Sequence, residues 1–218
     1  VGLIAPYLAH MRQDTRLHPG EEVSAPIFAG FLSGTFDWLV AVDPHLHRLV
    51  RLDTVYRIPC RHVSATPAIA HWIAAQVPDA MLIGPDSESE QWVAGIATAA
   101  GLPFQVLRKE RHGDYDVRVS LPDASEAAGR TPDIVSSGRT ILETVEHLKR
   151  LALPPPVLVA IHPVFAGDAY EKLQAAGLSR IVGTDTIAHE TNAIGLGVDL
   201  ATAAAELMSP HSCELEAT

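Results

Sequence analysis

Short apolar runs alternate with segments of helical period along most of this chain, and that alternation constrains the fold more than any other feature. The runs are 2–8, 37–42, 80–84, 104–107, 157–161 and 181–183. Segments of helical period stand between or after them, at 25–32, 66–77, 89–100, 141–151, 168–176 and 198–208. Units of this length predict parallel sheets, because a parallel partner needs a crossover and the crossover helix covers the sheet face. The punctuation agrees. Ser24 before Pro26 reads as an N-cap with proline in the first turn, Thr66-Pro67 opens the next helix, and Gly101 closes the one before Phe104. Pro154-Pro155-Pro156 stops a helix ahead of Val157. Val117, Val119 and Leu121 alternate at strand period, while 209–218 has no period and reads as a loose tail.

Composition sets the outer bounds. A chain of 218 residues fits one large or two small domains, and 47% hydrophobic against 19% charged residues is enough to bury a core. The formal charge of −10 leaves no basic stripe for a phosphate backbone, which excludes nucleic acid as a partner. Cys60 and Cys213 make neither a disulfide framework nor a zinc pattern, so a reducing, cytoplasmic setting is expected. No apolar run approaches the roughly 18 residues of a membrane span.

In parallel sheets ligands bind beyond the carboxyl ends of the strands, and several such ends here carry unusual polar residues. Asp43-Pro44-His45-Leu46-His47 follows a buried run and reads either as a Mg²⁺ or phosphate site or as a solvated turn. Asp86, after Gly84-Pro85, stands where a metal ligand would, or simply belongs to an acidic helix start. Arg108-Lys109-Glu110-Arg111 leaves the 104–107 run as a cationic loop suited to phosphoryl transfer, or as a solvated hairpin tip. Arg12-Gln13-Asp14 follows the first run and offers a guanidinium beside an amide for a base or phosphate. Ser136-Ser137-Gly138-Arg139-Thr140 opens directly into a helical pattern, a chemistry that holds a phosphate through backbone N–H groups and hydroxyls.

Taken in order, these pieces resemble the ribose-phosphate pyrophosphokinases, the PRPP synthases. That family runs "PY…ARQD", "D-L-H", "PD-x-G-G", "K-x-R", "V-D-D-x-x-x-T-G-x-T" and "T-N-T". Here the corresponding residues are Pro6-Tyr7 with Arg12-Gln13-Asp14, Asp43-Pro44-His45, Pro85-Asp86, Lys109-Glu110-Arg111, Asp133 to Thr140, and Thr184-Asp185-Thr186. The resemblance implies an α/β fold of two phosphoribosyltransferase-like (type I) domains with parallel sheets flanked by helices, the first incomplete. It places residues 1–62 in the first domain, with helix 198–208 packing back on it, and 63–197 in the second.

It also implies an enzyme that transfers diphosphate from ATP to the C1 hydroxyl of ribose 5-phosphate, with Mg²⁺, in a homo-oligomer of at least two subunits. Lys109, Arg111 and His45 would be catalytic, and His45 with Asp86 would hold the metal. Arg12, Gln13 and Asp14 would contact ATP. Asp133 would face the ribose hydroxyls, and Ser136, Ser137, Gly138, Arg139 and Thr140 would hold the 5-phosphate. Two alternatives stay open: a catalytically silent, nucleotide-binding regulatory homologue, and a phosphoribosyltransferase.

The sequence departs from the family in four places. The chain starts within the family's first domain, without the segment that reaches a neighbouring subunit's adenine. Glu88 and Ser89 replace paired glycines, which adds a negative charge beside a phosphate, and Thr15 to Glu22 carries acids where the family is basic. Pro132 replaces the first of two acids, and no apolar strand is legible ahead of Asp133. The expectation is that apolar residues and an acid are missing there; the alternative is that Val117 to Leu121 fills the gap.

Overall fold

The computed structural model describes residues 1–16, 18–46, 51–86, 89–107, 109–111, 117–119, 129–136 and 141–209, with the chain trace alone at 109–111, 117–119 and Ser136. In chain order the elements are β1 (Gly2–Ala5), α1 (Ser24–Ser33), β2 (Trp38–Val42), a 3-10 turn (Leu52–Thr54), β3 (Cys60–Val63), α2 (Thr66–Gln76), β4 (Ala80–Gly84), α3 (Glu90–Ala100) and β5 (Phe104–Val106). Then follow β6 (Lys109–Arg111), β7 (Val117–Val119), β8 (Thr131–Ser136), α4 (Ile141–Arg150), β9 (Val157–Ala160), α5 (Ala169–Ala175), β10 (Arg180–Thr184), β11 (Asn192–Ile194) and α6 (Gly197–Met208). None of the described helices is long and apolar enough to cross a membrane. The chain divides into two compact units, Val1–Ser64 with Leu196–Thr218, and Ala65–Gly195.

In the first unit β1, β2 and β3 form a parallel sheet in that order, with Leu39 opposite both Leu3 and Cys60. Ala29 and Leu32 of α1 bury against Leu39, Ala41, Leu8, Met11 and Tyr56, and α6 packs on β2 and β3. Gly2 is required where β1 meets β2, because a Cβ there would lie 1.8 Å from the Trp38 ring. Ser24 is the first residue of α1 rather than its cap; Val23 takes the cap position with no side-chain hydrogen bond.

In the second unit the described strands build a parallel sheet in the order β11-β10-β9-β8-β4-β5. Met81, Ile83, Ile134 and Leu158 bury on one face beneath Ile141, Val145 and Leu148 of α4 and Leu173 of α5. A Cβ at Gly84 would lie 3.4 Å from Val93 of α3. Thus α3 covers the opposite face, which carries Leu82 and, by register, its partner Asp133.

The strand that the sequence hides is present as β8, and the expectation that none leads through Asp133 is corrected. β8 lies in the middle of the sheet, with Leu82 and Val157 on either side of Asp133. Pro132 is tolerated for a specific reason. Thr131 donates its N–H to Asp79 on the β4 side, so the next residue turns toward β9. The pairing with β9 begins only at Asp133 with Val157, one residue later. Pro132 therefore sits where no donor is demanded, as proline does at the first position of a strand. Val117 does not cross into the sheet either: β7 pairs antiparallel with β6, Val119 opposite Lys109 and Val117 opposite Arg111.

Candidate functional site

The second sheet changes direction between β4 and β8. From β4 the chain crosses to β5 through α3 on one face; from β8 it crosses to β9 and β10 through α4 and α5 on the other. A crevice at such a switch point, outside the carboxyl ends of the two strands, is where open α/β sheets bind ligands. Gly84-Pro85-Asp86 leaves β4 at this point, and β8 ends here at Ser136. Ser137, Gly138, Arg139 and Thr140, the rest of the expected phosphate loop, lie outside the described residues. Lys109 and Arg111 lie beyond β5 in β6, where only the chain trace is described.

Asp86 does more local work than the sequence implies. Its Oδ1 accepts the Ser89 N–H at 3.0 Å, and Ser89 Oγ donates to the Asp86 carbonyl at 2.5 Å. The Asp86 N–H donates in turn to Ser89 Oγ at 3.3 Å. The residue that replaces a family glycine thus closes the turn that leads into α3. Among the described residues no group of three or more His, Cys, Asp or Glu is placed to hold a metal. Mg²⁺ needs no such cage, since it takes one or two carboxylates together with water and substrate phosphates. A single carboxylate oriented by a backbone N–H fits that demand.

Asp133, expected at the sugar, lies three residues before the end of β8 and is 0% exposed. Neither carboxylate oxygen has a hydrogen-bond partner among the described residues, and burial pushes the carboxyl up to about 8.

The first unit carries the other expected residues. Gln13 ties the segment after β1 to α1: its Oε1 accepts from Ser24 Oγ at 2.7 Å and its carbonyl from the Ala25 N–H at 3.2 Å. His10 Nδ1 lies 3.2 Å from the same Ser24 hydroxyl. Arg12 is exposed, whereas Asp14 and His45 are half-buried. Asp43, at the end of β2, is buried and lies 2.8 Å by Oδ1 from Nε2 of His62 on β3. His45 belongs to this unit and Asp86 to the other.

Two histidines escaped the sequence reading. His62 lies in a strand that carries no apolar run, and nothing in the sequence points to it. His162 follows the apolar run 157–161, so the same strand-end rule that singled out Asp86 applies to it. Its Nδ1 lies 2.9 Å from Thr186 Oγ1, within the Thr184-Asp185-Thr186 motif at the end of β10.

No protein-family model matches the chain. It is 33% identical over 190 residues to a ribose-phosphate pyrophosphokinase of Halobacterium salinarum, covering 84% of this chain and 65% of that protein. The chain is a relative of the ribose-phosphate pyrophosphokinases. The enzyme of that name from Methanopyrus kandleri is 27% identical over 210 residues, covering 94% of this chain and 71% of its own length. The phosphoribosylpyrophosphate synthetase of Mycobacterium smegmatis superposes with a TM-score of 0.77 at 22% identity, over 94% of this chain and 70% of that one, and so shares the fold. The chain thus spans slightly under two thirds of the Halobacterium pyrophosphokinase.

Proposed function

We propose that the protein is a ribose-phosphate diphosphokinase, which transfers diphosphate from ATP to the C1 hydroxyl of ribose 5-phosphate and releases AMP. The observation that carries this reading is the switch point between β4 and β8, adjacent parallel strands that end at Gly84, two residues before Asp86, and at Ser136. The stretch 136–140 offers backbone N–H groups, hydroxyls and Arg139 to the 5-phosphate. Lys109 and Arg111 meet charge on the transferring group. Arg12, Gln13 and Asp14 serve the nucleotide. Gln13 Oε1 already accepts from Ser24, so its amide N–H groups are what it offers an acceptor on the base.

Magnesium, when bound, neutralises the ATP phosphates and aligns them for in-line transfer. Asp86 and His45 are the residues read as its ligands. Residues 1–62 with helix 198–208 and residues 63–197 are read as the two domains, in a cytoplasmic homo-oligomer of at least two subunits. The replacement of the paired glycines by Glu88 and Ser89 favours a second reading, a catalytically silent, nucleotide-binding regulatory homologue. Calorimetry separates the two. The diphosphokinase reading expects ribose 5-phosphate to bind in the presence of Mg²⁺ and a non-hydrolysable ATP analogue. Binding of the nucleotide without any response to ribose 5-phosphate supports the regulatory reading.

A further inference from the structure

The segment after β1 holds a histidine that the Arg12-Gln13-Asp14 motif does not include. His10 adopts a φ of 66°, in the left-handed region where residues other than glycine are uncommon and where ligand clamps store backbone strain. The Gln13 N–H closes the turn by donating to His10 O at 3.0 Å. The ring is held twice. Its centroid lies 4.6 Å from that of Phe28 on α1, with the two planes tilted by 41°. Its Nδ1 lies 3.2 Å from Ser24 Oγ.

Ser24 sets the direction of the hydrogen bonds. A serine hydroxyl has a single proton, and Ser24 Oγ donates it to Gln13 Oε1 at 2.7 Å. Toward His10 the same Oγ is an acceptor, so the ring proton sits on Nδ1. In the neutral imidazole Nε2 is then an acceptor, on a residue exposed to solvent.

Adenine presents N7 as an acceptor beside its 6-amino donor, and a glutamine amide can read both at once. Gln13 has its Oε1 turned to Ser24, so it brings the donor alone. His10 brings the acceptor and is tied to the same serine, which makes the two polar heads neighbours across one hydroxyl. Guanine offers two acceptors, N7 and O6, and so meets the imidazole lone pair with another lone pair.

We infer that His10 is a specificity-determining residue of the nucleotide site, its Nε2 accepting from the 6-amino group of adenine while Gln13 donates to N7. Ser24 is the positioning residue that fixes the tautomer. This assignment rests on the reading of Arg12, Gln13 and Asp14 as nucleotide contacts. It differs from a histidine that pins the loop to α1, which would make no demand on the base.

The test combines two readouts on the full chain at pH 8. Calorimetry compares ATP with purine riboside triphosphate, which lacks the 6-amino group. The wild type should bind ATP about tenfold more tightly, the effect of one hydrogen bond. His10→Gly removes the ring and suits the left-handed backbone, and should bind the two triphosphates within about twofold of each other. Nitrogen-15 NMR of the histidines without ligand, with His10→Gly used to assign the signal, reports the tautomer. The Nδ1–H form is expected in the wild type, lost in Ser24→Ala and restored in Ser24→Thr. An Nε2–H tautomer, or a preference for ATP unchanged in His10→Gly, overturns the inference while leaving the diphosphokinase reading intact. The expected preference in a protein that does not respond to ribose 5-phosphate supports the inference and counts against that reading. A wild type that binds neither triphosphate overturns both.

Discussion

Asp43 Oδ1 and His62 Nε2 lie 2.8 Å apart and join the ends of β2 and β3 in the first unit. The pair is anchored further by the Asp43 N–H, which donates to Val63 O at 3.1 Å. Asp43 adopts a φ of +32°, a conformation that aspartate and asparagine tolerate better than most residues. Asp43→Ala loses the hydrogen bond and that tolerance together, and should lower stability by roughly 1–3 kcal/mol. Asp43→Asn keeps the backbone preference and should cost less. Urea denaturation midpoints for the two variants check the order.

Asp133 makes stability depend on pH. Its folded-state carboxyl is raised from 3.8 to about 8, so between those values the folded chain holds a proton that the unfolded chain has released. The unfolded state then binds fewer protons, and stability falls as pH rises from about 4 to about 8. Above that window the full burden of a buried carboxylate is present. Asp133→Asn cannot ionise and should flatten this part of the curve, overtaking the wild type near pH 8. Thermal melting of both proteins between pH 5 and pH 9 measures it.

The turn between β4 and α3 depends on Ser89 and on the absence of a side chain at Gly84. Ser89→Ala removes the hydroxyl that donates to Asp86 O at 2.5 Å, and should cost about 1 kcal/mol. At Gly84 a Cβ would stand 2.8 Å from Ser89 Oγ and 3.2 Å from Val106 Cγ2, so Gly84→Ala must displace both. Its cost should be larger, roughly 1–3 kcal/mol. Chemical denaturation at one pH ranks the two.

How much of this was legible follows the chemistry of each strand. β2, β4 and β9 are buried along most or all of their length, and their apolar runs were read directly. β3 was not, because Arg61 and His62 are exposed and leave no run. β8 was hidden by Pro132 and Asp133, two residues that argue against a central strand. It forms because the first meets no demand for a donor and the second has its carboxyl pushed up by burial, which favours the neutral form. Ser24 misled for a different reason: its hydroxyl is directed to Gln13, a partner that appears only when the chain folds back. The ends of β2 and β4 were legible because the apolar run of each stops where its strand does.

Lys109 and Arg111 should act on turnover rather than on sugar binding. Replacing either with alanine is expected to lower kcat by about 10²–10³, the range for removing one group that meets developing charge. The KM for ribose 5-phosphate should change little. Steady-state kinetics with each substrate varied separate these effects.

The central claim is tested most directly by phosphorus-31 NMR of the protein incubated with ATP, Mg²⁺ and ribose 5-phosphate. The account predicts AMP and a diphosphate attached at C1 of the sugar in equal amounts, and no AMP when ribose 5-phosphate is left out. Equimolar ADP and a sugar monophosphate ester would contradict it, as would unchanged ATP under conditions where calorimetry shows both substrates bound.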